Sequence, residues 1–198
     1  MRGILCIFTV ILFVSALPQT TPAAVVPDSS RQMYAGSWWE KSDADERSGF
    51  LNGVSDCMTW TAHRKGFNAT PEQLMGRVSK FYEMHPDSVD LSVVDVWQRI
   101  EGAFPTSGVP GVEGGERWKN AHWYLNDDWW IQSSEDEQLG FVEGYLWCMK
   151  TEVPAPAEGY SGTAASYRRR IEAFAKAHPK QGKEAVAMTL RRYRDRTK

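Results

Sequence analysis

Two pairs of adjacent acids, Asp45-Glu46 and Asp136-Glu137, are of the type that performs general acid/base catalysis when the surroundings separate two carboxyls in pKa. Both pairs also fall where a helix is expected to begin, and acids there answer the positive helix end without any substrate. The chain has four histidines, His63, His85, His122 and His178. His85 and His178 each precede a proline, a place where a helix stops. A hydrolase using one of them with a nearby acid is the enzymatic alternative. No His-Glu-x-x-His, Cys-x-x-Cys or Gly-x-Ser-x-Gly occurs, so the expectation is no catalytic residue, no metal and no cofactor.

Tryptophan is abundant, with nine in 198 residues, and four stand as the doublets Trp38-Trp39 and Trp129-Trp130. Tryptophan is enriched among interface hot spots, and adjacent residues on a helix cannot both face one core. These four are therefore the candidate binding residues, one of each doublet being free to anchor a partner; the alternative is that they staple and pack the halves together.

The doublets also reveal a repeat. Laid over Trp129 to Met149 at an ungapped offset of 91, the stretch Trp38 to Met58 matches at both tryptophans, Ser42/Ser133, Asp45/Asp136, Glu46/Glu137, Gly49/Gly140, Phe50/Phe141, Gly53/Gly144, Cys57/Cys148 and Met58/Met149. Further on, at offset 93, Thr70/Thr163, Phe81/Phe174, His85/His178 and Pro86/Pro179 coincide. Residues 34–106 and 125–198 thus read as two helical repeats, joined by a linker over 107–124 that is rich in Gly and Pro and then aromatic, with Trp118, Trp123 and Tyr124. Glu143 aligns with Asn52, so that acid is not shared, which argues against a symmetric acid site.

Each repeat reads as three helices. Ser42-x-x-Asp45 and Ser133-x-x-Asp136 resemble capping boxes for a first helix reaching about Thr61 and Lys150. Thr70-Pro71-Glu72-Gln73 opens a second, with Leu74, Val78, Phe81 and Tyr82 on one face; its counterpart starts at Thr163 with Tyr167, Ile171, Phe174 and Ala175. A third carries Val93, Val94, Val96, Trp97, Ile100 and Phe104, or Val186, Met188, Leu190 and Tyr193. With no alternating strand pattern, the expected fold is all-α: two similar three-helix modules related by pseudo-two-fold symmetry and packed as an intramolecular dimer, hence a monomer of pseudo-dimeric architecture.

Glycine inside a helix costs about 1 kcal/mol relative to alanine. Gly49, Gly53 and Cys57 nevertheless stand at i, i+4 and i+8, as do Gly140, Gly144 and Cys148. Such a ridge of small side chains permits a close backbone approach, either to the other ridge or to the repeat's own second or third helix. Cys57 and Cys148 then form a disulfide if the ridges meet beside them, or stay as two buried thiols.

Arg2 followed by the apolar run Gly3 to Leu17 fits a secretory signal peptide over 1–23, cleaved after Ala23 or, alternatively, after Ala16. The run contains Cys6 and is too short to span a membrane comfortably. Membrane contact is accordingly expected only through this segment, and the location periplasmic or secreted, where disulfides persist. The formal charge of −2 hides an asymmetry: residues 160–198 carry 11 Lys+Arg against 3 Asp+Glu, with Arg168-Arg169-Arg170 and Arg191-Arg192 among them. Such a basic end suits an anionic lipid, a glycan, an acidic protein or the acidic first half of the same chain; nucleic acid is not expected in that compartment.

The run Phe50-Leu51-Asn52-Gly53-Val54-Ser55-Asp56, then Thr70-Pro71-Glu72-Gln73-Leu74, then Val78 to Pro86 and Val93 to Phe104-Pro105, resembles the helical periplasmic family that includes the type VI secretion amidase-immunity proteins of the Rap/Tai type. The resemblance covers about 55 residues of the first repeat and is weaker in the second, where Thr163 is followed by Ala-Ala-Ser-Tyr. It implies an all-α, exported, non-catalytic fold, some members of which block a peptidoglycan amidase and dimerise. The cysteines depart from the family's usual loop positions. The expected function is an exported non-catalytic binding protein, such as an immunity-type inhibitor of a cell-wall hydrolase; a purely structural envelope module is a further alternative.

Overall fold

A computed structural model describes residues 33–60, 71–101, 125–153, 159–179 and 185–194. The expected signal peptide, the 107–124 linker, the helix start at Thr70, and His63, His122 and Phe104 lie outside the described residues. The helices are α1 (Gly36–Lys41), α2 (Ala44–Trp60), α3 (Pro71–Met84), α4 (Val93–Glu101), α5 (Asp127–Gln132), α6 (Glu135–Thr151), α7 (Ala164–Ala177) and α8 (Val186–Arg192), with a 3-10 turn at Pro86–Ser88. The fold is all-α, and the extended pairing among the described residues is limited to the isolated bridges Ala35–Ser92 and Asn126–Ala185.

Among the described residues each half holds four α-helices where three are expected, because the Trp doublets occupy short helices of their own, α1 and α5. This also moves the caps by one residue. Asp43 Oδ1 accepts from Glu46 N at 2.8 Å and Ser134 Oγ accepts from Glu137 N at 3.1 Å, so these two residues start α2 and α6. Ser42 and Ser133 instead close α1 and α5, their backbone N–H groups donating to Trp38 O and Trp129 O. The sequence pattern misleads because a serine ending one helix sits directly before the residue capping the next.

The outer helices are amphipathic. Leu74, Val78 and Tyr82 of α3, and Tyr167, Ile171 and Ala175 of α7, are buried. Phe81 and Phe174 are only half-buried, at the edge of these faces. In α8 the core takes Val186, Ala187 and Leu190, while Met188, expected inside, is 41% exposed. Helices α2 and α6 differ in kind, with apolar residues on most sides and Phe50, Leu51, Val54, Cys57, Phe141, Val142, Tyr145 and Cys148 all fully buried. Helices apolar nearly all round belong at the centre of a fold, and α2 and α6 pack against each other there.

Their contact is set by the glycines. A Cβ built on Gly49 would lie 2.8 Å from Phe141 N, and one on Gly53 2.8 Å from Tyr145 N; on Gly140 and Gly144 it would lie 2.9 Å from Phe50 N and 3.0 Å from Val54 N. Residue numbers rise together along both helices, so the pair is parallel and the contacts are reciprocal. In each case the position of the missing Cβ is aimed at a carbonyl oxygen of the facing helix, of Glu137, Phe141, Glu46 or Phe50. The hydrogen that replaces it supports the Cα–H···O contacts typical of close helix pairs. One turn further on, Cys57 and Cys148 are paired as a disulfide with Cα atoms 6.1 Å apart.

Candidate functional site

Both Trp doublets divide in the same way. Trp39 and Trp130 are buried at 2% and 0% exposure and so have no face to offer a partner. Trp38 and Trp129 are half-buried, their rings against Phe50 at 4.9 Å and Phe141 at 5.4 Å, and keep an edge in solvent. His85 and His178 are exposed at helix ends, His85 tilted against Phe81 at 4.7 Å and His178 stacked on Phe174 at 4.3 Å. This is the setting of a helix stop.

The acids Asp45, Glu46, Asp136 and Glu137 lie in the first turns of α2 and α6. Because the pair is parallel, these acidic ends sit together. Asp43 beside Asp136, joined by Asp45 and Glu135, pushes the Asp136 carboxyl up from its ordinary range, as neighbouring like charges do. Ser48 Oγ donates to Glu137 Oε1 at 3.3 Å across the pair. Among the described residues, no group of three or more His, Cys, Asp or Glu is placed to hold a metal.

A concave feature among the described residues lies elsewhere. A cleft of about 420 Å³ opens beside the C-terminal half of α6, between Met33-Tyr34 of the first half and the segment entering α7. Glu143, Leu146, Trp147, Met149 and Lys150 of α6 line it, together with Tyr160, Gly162 and Ala164. Its size lies in the range of small-ligand sites, and its wall is mostly apolar and aromatic, as such sites are. Glu143 Oε2, Trp147 Nε1 and Tyr160 Oη are each buried with no hydrogen-bond partner among the described residues. Burial, followed by the nearby charge of Glu46, pushes the Glu143 carboxyl up to about 7. Burial likewise pushes up the phenols of Tyr34 and Tyr160.

Glu143 has no acidic counterpart in the first half, where Asn52 occupies the equivalent position. The lack of a counterpart is what distinguishes this cleft. The signal was present in the sequence, where Glu143 is the sole charged residue from Gln138 to Met149. In the first half, Asp56 plays that part among its apolar neighbours; it is buried, and burial raises its carboxyl well above the ordinary range. By the offset of 91, Asp56 corresponds to Trp147. Each half therefore carries one acid on the same helix face, displaced by one turn.

No protein-family model matches the chain, no curated protein is found similar to it, and no solved structure matches it.

Proposed function

We propose that the protein is an exported, non-catalytic binding protein, acting in the periplasm or outside the cell, and that it binds through the cleft beside α6. The observation that carries this reading is that three residues lining one cleft, Glu143, Trp147 and Tyr160, each hold a buried polar atom with no partner among the described residues. A buried polar group without a partner costs on the order of 1–3 kcal/mol, and a bound ligand that pairs with it recovers that cost. Export is supported by the N-terminal apolar run and by the disulfide, which persists in an oxidising compartment. A binding role over catalysis is supported by the lining itself, where Glu143 is the sole carboxylate among the described cleft residues and neither His85 nor His178 takes part. The resemblance to amidase-immunity proteins favours a cell-wall hydrolase as the macromolecular partner.

The test is capture from an envelope extract by the immobilised, disulfide-bonded chain, beside a Glu143→Ala/Trp147→Ala variant of equal helicity. A partner retained by the native chain and lost by the variant supports the reading. Identical capture by both overturns the assignment of binding to this cleft.

A further inference from the structure

The polar atoms of the cleft differ in kind, and the difference defines what they accept. An ionised Glu143 has only acceptor oxygens, whereas Trp147 Nε1 is only a donor and the Tyr160 hydroxyl donates or accepts. All three are buried and unpartnered among the described residues, and Trp147, at 5% exposure, is more than nine-tenths buried. The rest of the described wall comprises the apolar side chains of Met33, Leu146, Met149 and Ala164, the ring of Tyr34, Gly162 and Lys150.

We infer that the cleft binds an α-ammonium group with its adjoining carbonyl oxygen, the chemistry shared by a free amino acid and the amino-terminal residue of a peptide. The ammonium donates to Glu143 Oε2, in a charge-assisted bond of the stronger kind. The carbonyl oxygen accepts from Trp147 Nε1 and Tyr160 Oη. The ligand's side chain lies along Met33, Leu146 and Met149. Three aromatic residues, Tyr34, Trp147 and Tyr160, line the same space, and aromatic rings favour a cation over a neutral amine. Lys150 at the wall offers a free carboxylate a partner that a peptide's second residue does not use. The inference rests on the cleft being the binding site, and its own content is the ligand's ammonium.

The experiment uses the full disulfide-bonded chain and calorimetric titration with four probes: phenylalanine, phenylalanine amide, the dipeptide Phe-Ala, and N-acetyl-phenylalanine amide, which lacks the ammonium. The three amines are expected to bind with Kd on the order of 0.1–1 mM. The acetylated probe is expected to be at least about tenfold weaker, and Glu143→Gln is expected to remove that preference while leaving helicity unchanged. Trp147→Phe is expected to weaken all three amines several-fold through the lost donor. A free amino acid as the natural source shows as phenylalanine binding more tightly than its amide; a peptide terminus shows as Phe-Ala binding most tightly. Equal binding of the acetylated probe, an unchanged preference in Glu143→Gln, or no binding by any amine at about 10 mM overturns the inference. If capture from extract depends on the cleft but the ammonium makes no difference, the binding function stands and this inference falls.

Discussion

The facing and outward sides of the α2–α6 pair carry different kinds of residue. On the facing side the two halves are matched position for position: Gly49 with Gly140, Gly53 with Gly144, and Cys57 with Cys148, all at one offset. At the positions next to the cleft the same two helices disagree, with Asn52 and Asp56 in α2 against Glu143 and Trp147 in α6. Where each helix meets its counterpart, both backbones must approach to glycine distance, and one change on either side breaks the fit. Where each helix meets different surroundings, that restraint is absent, and the acid sits a turn apart. The helix entries show the same freedom. Arg47 stacks over Trp39 at 5.2 Å, while its counterpart Gln138 donates to Trp130 O at 2.7 Å and accepts from Arg168 at 3.1 Å.

The largest way to break this contrast is to add volume to the facing side. Gly53→Val or Gly144→Val drives a side chain into the facing backbone and is expected to cost more than about 4 kcal/mol, enough to leave no cooperative thermal transition by circular dichroism. Gly76 is the control: it is exposed in α3 with nothing within 4 Å of a built Cβ, so Gly76→Ala is expected to stabilise by about 0.5–1 kcal/mol. Next comes the disulfide. It spans 91 residues of sequence, and Cys57→Ser/Cys148→Ser is expected to cost about 4 kcal/mol in the chain-entropy picture, read as a lower urea midpoint.

A smaller effect separates the two buried tryptophans. Trp39 Nε1 donates to Ser79 Oγ at 3.0 Å, whereas Trp130 Nε1 is unpartnered among the described residues. The corresponding position to Ser79 is Glu172, which pairs with Lys176 instead. Trp39→Phe should therefore cost about 1 kcal/mol more than Trp130→Phe in paired denaturant melts. The smallest expected effect sharpens the cleft side. The Glu143 carboxyl holds its proton to about 7 in the fold, against an ordinary value of 4.5. The native state then binds the extra proton, and this carboxyl lowers stability as pH rises from about 4.5 to about 7. Because the group is partly open to solvent, which screens the effect, Glu143→Gln should leave the melting temperature unchanged at pH 4 and raise it by about 2–4 °C at pH 8. An equal change at both pH values would refute the ionised, unpaired carboxylate.

The all-α class and most helix positions are legible in the sequence because they rest on local signals, such as Thr163 capping α7 and Val93, Val94, Val96 and Trp97 filling one side of α4. The glycine and cysteine spacing is legible as a ridge, and what it touches is not, since that contact joins residues about 90 apart in the chain. The short helices α1 and α5 escape because six residues carry too little periodicity to register. The cleft escapes for another reason. Comparing repeats draws attention to what the halves share, and Glu143, Trp147 and Tyr160 form a wall that depends on what one half has alone, completed by Met33 and Tyr34 from the other half.

Holding both ridges on one chain has a consequence for how the protein can change. In an assembly of two identical chains, every substitution appears twice, once on each side of the axis. Here a substitution on the cleft side of α6, as at Glu143, appears once, and the glycines Gly49, Gly53, Gly140 and Gly144 stay as they are. Tethering in one chain also keeps the two sides at a high effective concentration. An acid that is costly to bury can thus be carried on one side alone, with the cost incurred once and the pairing intact.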